Sequence, residues 1–382
     1  MGKGRFIVNP FDELVMTPDD RFQLQELAHS LILTNLDHYN TFVCSGKGEV
    51  DSHRWKQIKA REQLLVFEER SGYRPSPANR GELTGSGLPM ILCVGSMEGK
   101  LEDLMYGAMS EDLETMRLKA SYVDDVSGAA VLASIVEPTT SYPFQSLMVK
   151  WMEIDIPIAK NRDYVYLEGT GMVKAANGDR LGYQLLHSVE FPQTDTLPYR
   201  VRGNISIMAF WRQARANTIE MYATGIFDPC GDMIRKLSVP RMADVFLSSV
   251  KYPYCGQMRK LSFMLDKAYA ESRLHGTPNK KFVCVNCSSH IMGRRFGDFS
   301  KSSSTCKLCF GHVCHGCKVV QKMSFVCPDL MLTRRKVTFC RECICSVTSM
   351  SAAACARTRM RMVKNGITLS VYSTIDDESS SD

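Results

Sequence analysis

Four Cys-x-x-Cys pairs, at Cys284/Cys287, Cys306/Cys309, Cys314/Cys317 and Cys340/Cys343, are crowded into one stretch of the chain. Each two-residue gap lets both thiolates of a pair turn onto one metal, and eight thiolates complete two tetrahedral zinc sites. A disulfide framework could use the same residues, so the compartment has to be weighed. The N-terminus has no apolar h-region, Phe6 stands where a myristoylation signal wants Ser or Thr, and no stretch approaches the ~20 apolar residues of a membrane span. The chain reads as cytoplasmic and reduced, where clustered thiols bind metal.

The same residues divide the chain. Eleven of its fifteen cysteines lie from Cys284 to Cys355, whereas Cys44, Cys93, Cys230 and Cys255 are scattered and read as small apolar fillers. A length of 382 residues suits two or three domains. We expect a first domain over 15–275, a zinc module over 280–346 and a disordered tail over 350–382. Charge follows this division: Lys280 to Glu342 holds twelve Lys and Arg against Asp298, Asp329 and Glu342, so anionic partners belong at that end.

Within the first domain, Thr17 and Pro18 open a helix expected to reach Leu33, with Phe22, Leu24, Leu27, Leu31 and Ile32 as its apolar surface. Short apolar runs predict strands at Leu64 to Phe67 and Met90 to Val94, separated by a Pro- and Gly-rich loop over Ser71 to Gly87. Leu101 to Leu118 has helical spacing. Strands are expected at Leu147 to Ile156, Tyr164 to Val173, Leu181 to Val189, Val201 to Trp211 and Thr218 to Phe227, with Asn177-Gly178 as a hairpin turn. A helical stretch from Arg241 to Val250 precedes a break at Tyr252-Pro253-Tyr254. The last helix then carries Met258, Leu261 and Leu265 on one apolar face, the residues expected to line any lipid cavity.

This element order resembles the α+β helix-grip fold of START lipid-binding domains, an antiparallel sheet closed by a long C-terminal helix. The segments Trp55 to Glu62 and Val66 to Arg70 are similar to the opening strands of START-like domains that oomycetes join to FYVE-type zinc fingers. The intervals between the four cysteine pairs, of eighteen, four and twenty-two residues, are also FYVE-like. By that resemblance Cys284, Cys287, Cys314 and Cys317 share one zinc, and Cys306, Cys309, Cys340 and Cys343 share the other, in a cross-brace.

The departures matter as much. FYVE domains that recognise phosphatidylinositol 3-phosphate carry a run of cations and imidazoles where this chain has Ser302, Ser303, Ser304, Thr305 and Cys306, and only Lys307 keeps the charge. The Trp-containing segment before the first cysteine is absent, Thr338-Phe339-Cys340 replaces Arg-Val-Cys, and Phe310 stands where glycine is usual. His290, His312 and His315 are expected to be bystanders, because eight thiolates already complete both sites; Cys327, Cys345 and Cys355 are surplus.

The resemblance implies a noncatalytic lipid-binding protein or adaptor, with an apolar lipid ligand, an anionic membrane surface or a protein as partner, and peripheral association with endomembranes. Nucleic acid is not favoured. A RING-like ubiquitin ligase and an enzyme on a helix-grip fold are the alternatives. The chain shows no nucleophile elbow, phosphate loop or zincin helix, and the pair His187 and Glu190 reads as ordinary surface or core.

Overall fold

The computed structural model describes residues 8–70, 88–123, 127–155, 160–231, 235–277, 281–291, 304–327 and 331–366. The chain divides into two units, Met1–Pro253 and Tyr254–Asp382.

The first unit opens with α1, Pro18–Asn40. Thr17 caps it reciprocally: its hydroxyl accepts from the Asp20 amide at 3.1 Å, and the Asp20 carboxylate accepts from the Thr17 amide at 2.8 Å. The Thr17 hydroxyl also reaches the Asp20 carboxylate at 2.7 Å, and this bond, with that of the Thr17 amide, holds the Asp20 carboxyl below its ordinary range. The helix continues well past Leu33 into a π-helical turn at Thr41–Ser45. Its buried residues are Leu24, Ala28 and Tyr39, and Phe22, expected to face inward, is exposed.

Three strands follow, β1 (Trp55–Arg61), β2 (Gln63–Glu69) and β3 (Ile91–Glu98), then α2 (Leu101–Ala108) and α3 (Leu113–Val123). The loop expected at Ser71 to Gly87 lies outside the described residues. One helix was expected over Leu101 to Leu118, and the local hydrogen bonds explain why there are two. Lys119 Nζ takes the Ala108 carbonyl at the end of α2, while Asp112 and Thr115 bond each other's amides and start a new helix.

The chain then crosses to the far edge of the sheet and returns as a meander: β4 (Gly128–Val136), β5 (Ser146–Ile154), β6 (Asn161–Lys174), β7 (Arg180–Ser188), β9 (Asn204–Arg215) and β10 (Thr218–Asp228), with the short β8 (Arg200–Arg202) beside β6. The spatial order is β1-β2-β3-β10-β9-β7-β6-β5-β4, and every neighbouring pair on this path is antiparallel. β10 thus closes the meander onto β3. Gly178, at φ +87°, makes the expected hairpin turn between β6 and β7.

Alternation along the strands sorts two faces. Val149, Trp151, Val165, Leu167, Met208 and Phe210 pack with Leu24, Ala28 and Tyr39 of α1 in one apolar core. Their neighbours Lys150, Tyr164, Tyr166, Glu168, Gln184, Ala209 and Trp211 therefore turn to the opposite face.

After the sheet, α4 (Arg235–Ser248) passes through a 3-10 turn at Ser249–Lys251 into α5 (Tyr252–His275). Pro253 sits in the first turn of α5, where its missing N–H forfeits no helical bond. A long helix following an antiparallel sheet, with a cysteine-rich module beyond, is the α+β helix-grip order expected of this chain.

In the second unit, β11 (Ser304–Thr305) pairs with β12 (His312–Val313), and β13 (Lys318–Val326) with β14 (Leu332–Cys340). Two helices follow, α6 (Arg341–Ser349) and α7 (Ala352–Lys364). The disorder expected from residue 350 does not hold for α7: Ser351 caps it, and Ala352, Ala353, Cys355 and Ala356 are buried. The basic composition there had masked a stripe of small apolar residues. Residues 367–382 lie outside the described residues. The Tyr254-onward part of α5 belongs to this unit, and Lys260, fully buried, donates to the Thr348 and Met350 carbonyls that end α6, at 2.9 and 3.0 Å.

Candidate ligand cavity and metal sites

A cavity of about 410 Å³ lies within the first unit, on the sheet face opposite α1. Its floor comes from β4, β5, β6, β7, β9 and β10, and α3, α4 and the turn from Ser249 to Tyr252 add walls, with Arg61 of β1 and Ser110 also lining it. That volume is within the range of about 300–1,000 Å³ typical of small-ligand pockets. Met258, Leu261 and Leu265 are not among the lining residues; all three are buried in the second unit.

The cavity face carries a buried ion pair that sequence reading did not single out. Lys150 on β5 and Glu168 on β6 are 1% and 2% exposed, and the ammonium donates to the Glu168 carboxylate, to the Ser110 carbonyl and to the Ser110 hydroxyl. Gln184 of β7 donates to the other carboxylate oxygen at 2.6 Å, and Lys119 of α3 stands 3.9 Å from it. Burial pushes the Glu168 carboxyl up, but Lys150, Lys119 and the hydrogen bonds outweigh it and hold the pKa below the usual range. Burial draws the Lys150 ammonium's pKa down, against the pull of Glu168. Taking both charges out of water costs several kcal/mol each before pairing repays it. A lone Lys between Val149 and Trp151, and a lone Glu in Tyr164-Val165-Tyr166-Leu167-Glu168, were the available signals.

Two further buried polar atoms lack partners among the described residues. Tyr164 and Trp211, 0% and 1% exposed, both line it, and neither Tyr164 OH nor Trp211 Nε1 has a hydrogen-bond acceptor among the described residues. His187, by contrast, meets Ser206 Oγ through Nδ1 at 3.0 Å, while Glu190 is exposed.

In the second unit the eight cysteines fall into two groups, Cys284, Cys287, Cys314 and Cys317, and Cys306, Cys309, Cys340 and Cys343, with the sulfurs of each group within 4.8 Å of one another. This is the cross-braced sharing implied by the family resemblance. The sulfur geometry discriminates between metal and disulfide. Cys287 and Cys314 are 3.7 Å apart and Cys309 and Cys340 4.0 Å, far beyond the ~2.05 Å of an S–S bond. A tetrahedral ion with metal–sulfur bonds of about 2.3 Å sets its sulfurs roughly 3.8 Å apart.

Charge makes the same point. Burial raises the Cys284 thiol, but backbone amides of Cys314, Cys287 and Asn286 bring it down to about 6. Contact with the Cys309 thiol drives Cys306 well below the ordinary thiol range. Contact with Cys306 pushes Cys309 up to about 11, and contact with Cys314 pushes Cys317 up to about 12, because like charges resist sharing so small a space. Four thiolates this close can ionise together only around a cation, so the donor set fits a metal ion.

His290, His312 and His315 belong to neither group; the His312 ring stacks on Phe282 at 5.1 Å. Cys327, Cys345 and Cys355 also lie outside both groups. Ser304 and Thr305 form β11, whereas Ser302 and Ser303 lie outside the described residues. Phe310 adopts φ +57°, a left-handed backbone that favours glycine. Its ring meets Tyr269 of α5 edge-on at 5.4 Å.

No family model matches the chain, and no curated protein matches it. Among solved structures, human StAR-related lipid transfer protein 5 is 15% identical, with 61% of this chain and 98% of that one covered at a TM-score of 0.44. Human STARD10 is 13% identical over 69% of this chain and 84% of its own, at 0.39. The lipid transfer and protein localization domain of human StarD13 is 11% identical over 59% and 95%, also at 0.39. With scores below 0.5, the fold rests on the strand order itself.

Proposed function

We propose that this chain is a noncatalytic lipid-binding protein whose second unit is a structural two-zinc, FYVE-like module serving as an adaptor to a membrane or a protein. The observation that carries the first half is the cavity of about 410 Å³ on the sheet, with buried polar groups set among apolar walls. Zinc is favoured in the second half because all eight donors are thiolates, a soft set that suits zinc and not magnesium or calcium. Cys284, Cys287, Cys314 and Cys317 would hold one ion, and Cys306, Cys309, Cys340 and Cys343 the other. When bound, the ions supply folding energy and no chemistry.

Ser304 and Thr305 offer hydroxyls where phosphoinositide-binding relatives offer cations, and hydroxyls cannot supply charge-assisted contacts to phosphate. Binding to phosphatidylinositol 3-phosphate is therefore expected to be weak, leaving a salt-sensitive attraction between the basic module and any anionic membrane. No helix among the described residues is long and apolar enough to cross a membrane. A cytoplasmic protein that visits endomembranes peripherally agrees with that.

Native mass spectrometry of the full chain, purified without chelator or detergent, tests the reading. A mass increment for two zinc ions plus a copurified lipid of matching extractable mass is expected. A folded chain with no retained lipid, and no uptake from lipid vesicles, would contradict it.

A further inference from the structure

The charged side chains that line the cavity divide by whether the protein supplies their partners. Lys119 donates to the Ala108 carbonyl at 2.7 Å, Lys251 donates to the Val123 carbonyl at 3.2 Å, and Asp155 accepts from Asn161 at 2.8 Å. Asp244 pairs with Lys59 at 2.6 Å, and Glu168 is satisfied by Lys150 and Gln184. Arg61 and Arg241 remain. Both line the cavity, both are exposed, and neither guanidinium has a hydrogen-bond or ion-pair partner among the described residues. Exposed side chains that also line a cavity mark where it opens to solvent, so these two stand at its mouth.

Local structure accounts for their placement. Register on β1 puts Lys59 opposite Val66 and Arg61 opposite Leu64, and both of these β2 partners are buried. Cross-strand partners share a face, so Lys59 and Arg61 stand together on the face that meets α4 through the Lys59–Asp244 bridge. On α4, Arg241 lies one turn before Asp244, which makes the two neighbours on the helix surface. Each arginine is thus rooted beside the same bridge, one on the sheet and one on the helix, and both reach the same opening. Val245 and Phe246 of α4, with Ile207 and Ala223 of the floor, give that cavity apolar walls.

We infer that the mouth receives the phosphate monoester head of an amphiphile, with Arg61 and Arg241 on the phosphate oxygens and the acyl chain inside the cavity. The assignment rests on the lipid-binding reading above and narrows it. A guanidinium presents a planar fork that takes two oxygens at once, and a phosphate monoester offers three acceptor oxygens and a charge of about −1.5 to −2. Two arginines match that charge. An uncharged head leaves both forks to water, and a choline-capped phosphate brings a cation to a mouth that already holds two. Low-dielectric walls beside the mouth concentrate the field of the arginines and draw an anion towards it. The Glu168 carboxylate inside does not oppose the head, because Lys150 holds it and Lys119 stands 3.9 Å away.

Calorimetric titration of the full chain, below micelle formation, tests this with lysophosphatidic acid, lysophosphatidylcholine and monoacylglycerol of one acyl length, and with glycerol 3-phosphate as the head alone. Lysophosphatidic acid should bind about tenfold more tightly than either other lipid, the worth of charge-assisted contacts at a partly exposed site. Glycerol 3-phosphate should bind more weakly still. Arg61→Gln and Arg241→Gln, shown folded by thermal melts, should each remove most of the preference and leave monoacylglycerol affinity unchanged. Arg180→Gln, at an exposed arginine outside the lining, should change nothing. Equal affinity for lysophosphatidic acid and monoacylglycerol would overturn the head assignment and leave lipid binding standing, as would an equal loss in Arg180→Gln. Glycerol 3-phosphate binding as tightly as lysophosphatidic acid would make the mouth a site for free phosphate and overturn the amphiphile. Failure of every lipid to bind would overturn both readings.

Discussion

The two units hold themselves together by different means. In Met1–Pro253 the largest fully buried side chains are Trp151, Trp211, Tyr106 and Tyr164, and a meandering sheet sorts its residues between an apolar core under α1 and a cavity on the other face. In the second unit three of the most buried positions are the thiols Cys284, Cys306 and Cys340, and its hairpin and helices surround two tetrads of sulfur. Packing is spread over many residues, each contributing little. Metal binding is concentrated in eight. The first unit should therefore lose stability gradually under substitution, and the second abruptly.

The largest effect expected from a single change is Cys306→Ser. Apparent binding energies of about 10–16 kcal/mol for structural zinc in small peptides exceed what so small a core can replace. The second unit should lose its cooperative transition in a thermal melt followed by circular dichroism, with the first unit's midpoint unmoved. A lowered midpoint for both units would break the contrast.

Within the first unit the sharpest local failure should come from the Lys150–Glu168 pair. Lys150→Met leaves Glu168 buried without its cation and is expected to cost about 3–5 kcal/mol in denaturant unfolding, with the double change to apolar residues recovering much of it. A negligible single-mutant cost would mean that water reaches the pair. The same group sets an acid limit. Because the folded-state pKa of Glu168 lies below its reference of 4.5, its contribution is complete above that value and disappears as pH falls through the folded pKa. Acid titration of the midpoint should show this loss, and Glu168→Gln should remove it.

Phe310→Gly should have the smallest effect. Relieving a left-handed backbone gains about 1–2 kcal/mol, and the lost edge-on contact with Tyr269 forfeits about 0.5–1.5 kcal/mol. A net change within about 1 kcal/mol of zero is expected in the same melt. A loss well beyond that would assign the Phe310 ring a larger part in holding α5 to the module.

What could be read in advance follows the same contrast. Cysteine spacing is local in sequence, so the eight donors were legible; which four share an ion is not fixed by spacing, and it came from family resemblance. Strands β5 to β7, β9 and β10 were legible through apolar runs and the Asn177-Gly178 turn. β4 was not, because Gly128-Ala129-Ala130 and Ser134 give neither alternation nor bulk. The split between α2 and α3 depends on a lysine reaching back to Ala108, a contact no periodicity reports. The cavity was sought on Met258, Leu261 and Leu265, since an apolar helix face looks alike whether it meets a ligand or a neighbour. Tyr164, Glu168 and Trp211 became visible only once register had placed them on one face.

Hydrogen exchange measured by mass spectrometry on the full chain, before and after addition of a strong zinc chelator under reducing conditions, tests the central contrast most directly. Amide protection should collapse across the described parts of 281–366, centred on β13, β14 and α6, while β5 to β10 keep their protection. Unchanged protection in β13 and β14 after metal removal, or an equal loss in the sheet of the first unit, would contradict it.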